Sequence, residues 1–236
     1  MKAAAAVSAI QIENLRFAYA QKPVLEIARL KIARGSHTLI SGDSGCGKST
    51  LMNLIGGVLT GYSGKIEVSG TELANLTAAA RDRFRAAHLG VIFQQFNLIP
   101  YLSVTENIEL APKLAKKPVE PARIQAMMQH LQIAELAAMP AAKLSHGQQQ
   151  RVAAARALAA GAEIVLADEP TSALDDHNAR LFLDLLFKEA EVNKTTIVVV
   201  SHDLRYRKRF DQFIDLAGLN RAIESGHGKK TAGRKS

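Results

Sequence analysis

The spacing of apolar residues changes several times along the chain, and each change marks an element. Apolar side chains recur at strand-like intervals over residues 9–17 and again over 24–32, where Leu25, Ile27, Leu30 and Ile32 carry the pattern. Strands this early predict a small antiparallel sheet. A third run, His37-Thr38-Leu39-Ile40-Ser41, enters a glycine-rich stretch, and Leu51-Met52-Asn53-Leu54-Ile55 leaves it with helical character.

Further on, Gly56-Gly57 and Gly61-Tyr62-Ser63-Gly64 mark turns, and residues 65–69 alternate as a strand closed by Gly70. Thr77 is placed to cap a helix running to about residue 87, ahead of a buried strand over 89–93. Ser103-Val104-Thr105-Glu106 has capping-box spacing. From there to about residue 160 the pattern is helical, with breaks expected at Pro112, Pro118, Pro121 and Pro140, so residues of about 95–160 form a helical insert. The continuous apolar run Ile164-Val165-Leu166-Ala167 then suits a central strand of a parallel sheet, buried on both faces. A helix over 176–192 and a strand over 195–200 complete the order. The fold class predicted is α/β: a mainly parallel sheet, an N-terminal antiparallel β subdomain and a helical insert.

Composition adds limits. At 236 residues, 47% hydrophobic and 22% charged, the chain can bury a sizeable core, which excludes a disordered protein. No apolar stretch reaches the length of a membrane span, and the apolar run at residues 3–7 is too short for a secretion signal. A single cysteine rules out an internal disulfide and fits a cytoplasmic setting. The formal net charge is +8, and residues 217–236 hold five Lys and Arg against one Glu, so half the excess falls in a stretch expected to be a loose tail. Residues 1–7 are expected to be disordered and residues 8–216 to form the working domain.

The candidate chemistry starts at Gly42-Asp43-Ser44-Gly45-Cys46-Gly47-Lys48-Ser49-Thr50, which fits the phosphate-loop pattern G-x-x-x-x-G-K-[ST] between a strand and a helix. Gly42, Gly45 and Gly47 let the backbone curl its N–H groups toward an anion, and the helix beginning near Lys48 adds its positive dipole end. The Lys48 ammonium reaches the β- and γ-phosphates, and the Ser49 hydroxyl is placed to ligate magnesium. A glycine-rich turn before an amphipathic helix is the plain alternative. Cys46, close to a helix N-terminus and to Lys48, is expected to have a lowered pKa and high reactivity. Asp168 and Glu169 end the central strand, where Asp168 can hold magnesium through water and Glu169 can polarise an attacking water. His202 follows the next strand and is aimed at the same crevice. Tyr19 could stack on a nucleotide base.

These features, with Leu144-Ser145-His146-Gly147-Gln148-Gln149-Gln150-Arg151-Val152, resemble the ATP-binding subunit of an ABC transporter over residues of about 8–216. The resemblance implies a P-loop NTPase core, ATP and magnesium as ligands, and ATP hydrolysis. It implies roles for Tyr19 in base stacking, Gln94 at the magnesium and attacking water, Glu169 as general base, and His202 as γ-phosphate sensor. Ser172-Ala173-Leu174-Asp175 is similar to a loop that communicates across a dimer. Ser145, Gly147 and Gln148 are similar to the signature that completes the ATP site of a second copy, head to tail. One departure stands out: His146 occupies the usual first glycine of that signature.

The segments 90–100 and 102–108 are similar to the branch of lipoprotein-releasing and macrolide-exporting systems, which fits a bacterial source. The resemblance further implies a separate membrane permease as partner, a position on the cytoplasmic face of the inner membrane, and no nucleic acid. A groove between the Gln94 loop and the insert would receive the permease, with Phe96, Leu98, Ile99 and Leu102 as exposed apolar contacts. The competing class is a soluble or regulatory cassette protein acting on nucleic acid, translation or cell-envelope enzymes, which the basic tail would favour.

Overall fold

Two sheets clasp one helix between them, and that helix carries the end of the phosphate loop. The computed structural model describes residues 8–222. The first sheet is antiparallel, built from β1 (Ser8–Tyr19), β2 (Lys22–Ala33), β4 (Ser63–Val68) and β5 (Thr71–Glu72) in the order β2-β1-β4-β5. The second is parallel, with β3 (His37–Ser41), β6 (Leu89–Ile92), β7 (Ile164–Asp168), β8 (Thr196–Val200) and β9 (Gln212–Asp215) in the order β6-β7-β8-β3-β9. Helix α1 (Lys48–Ile55) buries Leu51, Leu54 and Ile55 completely.

The period-2 pattern of β1 slips once, because Asn14 takes a left-handed φ of 50° and the pairing with β4 shifts there. Ile10 and Ile12 therefore share the buried side with Leu15 and Phe17 despite the change of spacing.

The parallel sheet is covered on both faces, as its unbroken apolar strands require. Val165, Ala167, Ile197 and Val199 enter one core together with the helical insert. Their neighbours Ile164, Leu166, Val198 and Val200 enter the other, with α1 and the antiparallel sheet. Each such fully buried aliphatic side chain contributes roughly 1.5–3 kcal/mol of transfer free energy. The insert consists of α3 (Val104–Leu114), α4 (Pro121–His130) and α5 (His146–Ala159), with α2 (Ala78–His88) ahead of β6 and α6 (Asp176–Asn193) between β7 and β8.

Two expectations change. Pro112 does not break α3; it lies buried in the last turn, and the helix continues past it to Leu114. The break expected at Pro121 is present, with Pro121 as the first residue of α4. The chain also does not leave the fold at residue 216. Helix α7 (Leu216–Leu219) follows β9, and the buried Asn220 accepts from Glu26 N at 2.8 Å and donates to Val24 O at 2.7 Å and Cys46 O at 3.1 Å. The rest of the basic tail, and residues 1–7, lie outside the described residues.

Candidate ATP site

The strands place their C-terminal ends together, and the loops leaving β3, β6, β7 and β8 enclose a cavity of about 360 Å³. Gly47 shapes its floor. At a φ of 102° it adopts a conformation that favours glycine, and a side chain there would stand 2.7 Å from Leu25 Cδ2. No side chain caps α1, so its first N–H groups remain available to an anion. Lys48 Nζ donates to Gly42 O at 2.6 Å and Asp43 O at 2.9 Å, and both acceptors are neutral. The ammonium therefore has no carboxylate to give up when a phosphate arrives.

The opposite wall is acidic. Ser49 Oγ donates to Asp168 Oδ2 at 3.3 Å. Burial pushes the Asp168 carboxyl above its ordinary pKa, and the charge of Glu169 adds to the rise; the Ser49 bond and Lys48 oppose it. Two adjacent carboxylates and a hydroxyl in a half-buried cleft are oxygen donors of the kind that suit magnesium. Among the described residues no group of three acidic, His or Cys side chains could hold a metal alone. A magnesium here would therefore be held by Ser49 and Asp168 with water and phosphate oxygens, and the residues present fit that mode.

Glu169 is held from three directions at a left-handed φ of 46°. Ser201 Oγ donates to its Oε2 at 2.8 Å, His202 N donates to Oε1 at 3.0 Å, and His202 Nδ1 lies 2.8 Å from the same oxygen. An ionised carboxylate only accepts, so Nδ1 carries the proton in that bond. Ser201 was not anticipated, although its place beside His202 after an apolar strand offered a signal. Gln94 lines the same cavity from the end of β6, and Val24 of β2 is a further wall with no sequence signal at all.

Other expected residues stand differently. Gly45, Ser44, Ser49 and Thr50 line the cavity, but Gly42, Asp43 and Cys46 support it from behind. Cys46 is buried at 5% exposure, and desolvation pushes its thiol above the usual pKa, outweighing the opposing pull of Lys48. The expectation of a reactive, low-pKa thiol is thus reversed: the side chain faces the core, not the phosphate side. Tyr19 does not line this cavity; it ends β1 half exposed, edge-on to Phe17 with centroids 4.9 Å apart.

The signature segment lies apart from this cavity, and none of Ser145, His146, Gly147 or Gln148 lines it. Ser145 and Gln148 form a reciprocal capping box at the start of α5. His146 is the first residue of that helix and is exposed, so an L side chain is at ease there. Gly147 has no left-handed φ, and a side chain on it would first meet Leu174 Cδ2 at 3.9 Å. Nothing among the described residues demands glycine at 147.

Phosphate loop, acidic strand end and parallel sheet together define a P-loop nucleotide-binding protein. Similarity to known proteins narrows the class. The ABC transporter family matches residues 25–172, and the chain belongs to that family. It is 38% identical over 211 residues to the macrolide export ATP-binding/permease protein MacB 2 of Aeromonas hydrophila, covering 89% of this chain and 32% of that protein. The chain thus spans about a third of the length of that relative. It is 40% identical over 185 residues to the ABC transporter ATP-binding protein YtrE of Bacillus subtilis, covering 77% of this chain and 79% of YtrE. A bacterial ABC transporter cassette solved as a dimer superposes with a TM-score of 0.77 at 31% identity, covering 88% of this chain and 95% of that one. The same cassette in a post-hydrolysis state bound to ADP and Pi gives a TM-score of 0.75 at 32% identity, with 88% and 95% covered. The fold is that of an ABC ATPase cassette, and the chain is an ATP-binding, ATP-hydrolysing member of the transporter family.

Proposed function

We propose that this chain is the nucleotide-binding subunit that powers a separate membrane permease, and that two copies close head to tail over two Mg-ATP. The single observation carrying this reading is the division of labour in the structure. One cavity gathers Lys48, Ser49, Gln94, Asp168, Glu169 and His202, while the signature stands exposed elsewhere with a glycine that nothing among the described residues requires. A requirement for glycine at 147 therefore comes from outside the chain, and the phosphates of a nucleotide held by a second copy supply one. The dimeric neighbour supports the same arrangement.

Magnesium, when bound, neutralises charge between the phosphates. The chain's own residues do the rest. The phosphate-loop N–H groups and Lys48 hold the phosphates, and Ser49 with Asp168 orients the cation site. Glu169 takes a proton from water, Gln94 orients that water, and His202 donates to the γ-phosphate once it leaves Glu169. Ser201 and His202 make three hydrogen bonds to the two carboxylate oxygens of Glu169, so the base becomes available to water when that cluster opens. Tyr19, half exposed at the end of β1, is assigned the stacking on the base.

The permease docks beside the Gln94 loop. A groove of about 550 Å³ runs between α2, β6, α3 and α5, with Phe93 and Leu114 at 43% and 74% exposure and Arg83 at its edge. This apolar lining differs from the expected one, since Phe96 is buried and Leu98, Ile99 and Leu102 are half-buried. Among the described residues no helix is long and apolar enough to cross a membrane, which suits a peripheral subunit at the cytoplasmic face of a bacterial inner membrane. Macrolide export, the task in the name of the MacB relative, is one candidate task of the assembled system.

The experiment is a Glu169→Gln variant on a sizing column. With Mg-ATP it should run as a dimer that does not turn over. A monomer with full hydrolysis would refute both the base and the shared sites.

A further inference from the structure

Arg156, in the last turns of α5, is a half-buried guanidinium that no carboxylate pairs with among the described residues. Its two ends instead donate to backbone carbonyls, Nη1 to Asn97 O and Nη2 to Phe96 O, each at 2.6 Å. The residues it grips are unusual in their own right. Phe96 and Asn97 both take left-handed φ, 54° and 48°, a region that asparagine visits readily but that is costly for phenylalanine. They lie two and three positions beyond Gln94.

The rest of the loop is secured separately. The fully buried Asn107 of α3 accepts from Ile99 N and donates to the carbonyls of Ile99, Leu102 and Ser103, all within 3.1 Å. Between that anchor and β6, the Arg156 fork acts together with a turn bond from Phe96 N to Phe93 O at 3.0 Å and with the burial of the Phe96 ring. At the other end of α5 the His146 ring sits edge-on to Phe96, with centroids 6.2 Å apart. Helix α5 therefore touches the Gln94 loop near both of its ends, and the same helix presents the signature.

We propose that Arg156 is a positioning residue for Gln94: by clamping Phe96 and Asn97 to the signature helix, it sets where Gln94 stands over the phosphates. The inference rests on the role given to Gln94 above. The clamp makes the Gln94 loop of one ATP site and the signature offered to the other site move as one body. Arg156 also borders the docking groove, so a partner pressing on that groove bears directly on the clamp. A planar guanidinium can bridge two adjacent carbonyls, whereas a lysine ammonium is a point donor that satisfies them poorly.

The test is a double-mutant cycle on the full chain, at concentrations where Mg-ATP drives pairing. Arg156→Met should lower kcat by on the order of 10- to 100-fold, as expected when a reacting group is misplaced, with Mg-ATP affinity within about twofold of the unmodified chain. Gln94→Ala should cost a similar factor, and the double variant should be no slower than Gln94→Ala alone. Arg156→Lys should fall between, and it carries the cycle if Arg156→Met does not fold. Losses that multiply in the double variant, or a weakened affinity for Mg-ATP, overturn the clamp. Unchanged turnover in Gln94→Ala overturns the role of Gln94 and the clamp with it. Turnover by the unmodified chain, run alongside, separates these from failure of the ATPase reading, because only that failure leaves the unmodified chain without Mg-ATP hydrolysis.

Discussion

The nucleotide cavity and the start of α5 are both helix N-termini preceded by small polar residues, and they are finished to different degrees. At the phosphate loop, α1 has no side-chain cap, its glycines are fixed by φ and by Leu25, and the ends of β6, β7 and β8 bring polar side chains to it. At the signature, α5 is capped by its own Ser145 and Gln148, and the space before Gly147 holds nothing but Leu174 at van der Waals distance. The first gathers its phosphate-holding and catalytic groups within one chain. The second is half a site, and its chemistry depends on what a second molecule brings to it.

The difference can be broken most severely from the first side. Lys48→Ala should lower hydrolysis by about 100-fold or more, since the ammonium neutralises charge developing on the transferred phosphoryl group. Steady-state turnover near that of the unmodified chain would remove Lys48 from the mechanism. Gly147→Asp should nearly match that loss through like-charge repulsion in a closed interface, while leaving Mg-ATP binding by the single chain intact. His146→Gly should stay within about threefold in rate, because the side chain is exposed in the first turn and lies edge-on to Phe96 at 6.2 Å. Equal binding defects in the Lys48 and Gly147 variants, read by equilibrium titration, would erase the distinction between the two ends.

Much of the cavity was legible because its signals are local. A phosphate loop works through backbone curvature over nine consecutive residues, and the spacing of Gly42, Gly45, Gly47 and Lys48 displays it. The acidic end of β7 was legible for the same reason, since an apolar run that stops at Asp168-Glu169 fixes where the strand opens. What failed depends on residues distant in sequence. Cys46 sits in the loop, yet its side chain packs into the core shared by Leu25, Leu51 and Leu216, and no local pattern shows which way it turns. Phe96 looked exposed because it follows polar residues, but its left-handed backbone turns the ring inward. Asn220 belonged to a basic stretch and nevertheless braces Val24 and the loop carbonyl of Cys46. Pro112 was misjudged because proline is costly in helix interiors, yet here it is buried close to the C-cap and the helix continues past it.

Two smaller effects sharpen the picture of the cavity. Cys46 should alkylate slowly at neutral pH, at least about tenfold below an unhindered thiol, with the rate still rising above the usual thiol range, because burial raises its pKa. Rapid labelling at neutral pH would contradict the burial. Asp168 gives a pH signature. Its folded pKa is raised, so the folded chain holds that proton more tightly than the unfolded one. The stability this adds is present below the ordinary carboxylate pKa and is lost as pH rises through the raised value. Asp168→Asn should therefore raise the melting temperature of the nucleotide-free chain slightly at neutral pH, and the gain should vanish near about pH 3. Thermal melts across that window would check it, and an Asn variant less stable at neutral pH would count against a carboxylate strained by burial.

The shared-site arrangement is tested most directly by mixing two inactive variants. In a head-to-tail pair of Lys48→Ala with Gly147→Asp, one site joins the defective loop to the defective signature, and the other joins an intact loop to an intact signature. Hydrolysis by the mixture should therefore rise above that of either variant alone, toward about a quarter of the unmodified rate, since half the pairs are mixed and each has one working site. A mixture as inactive as its two components would show that each chain completes its own site.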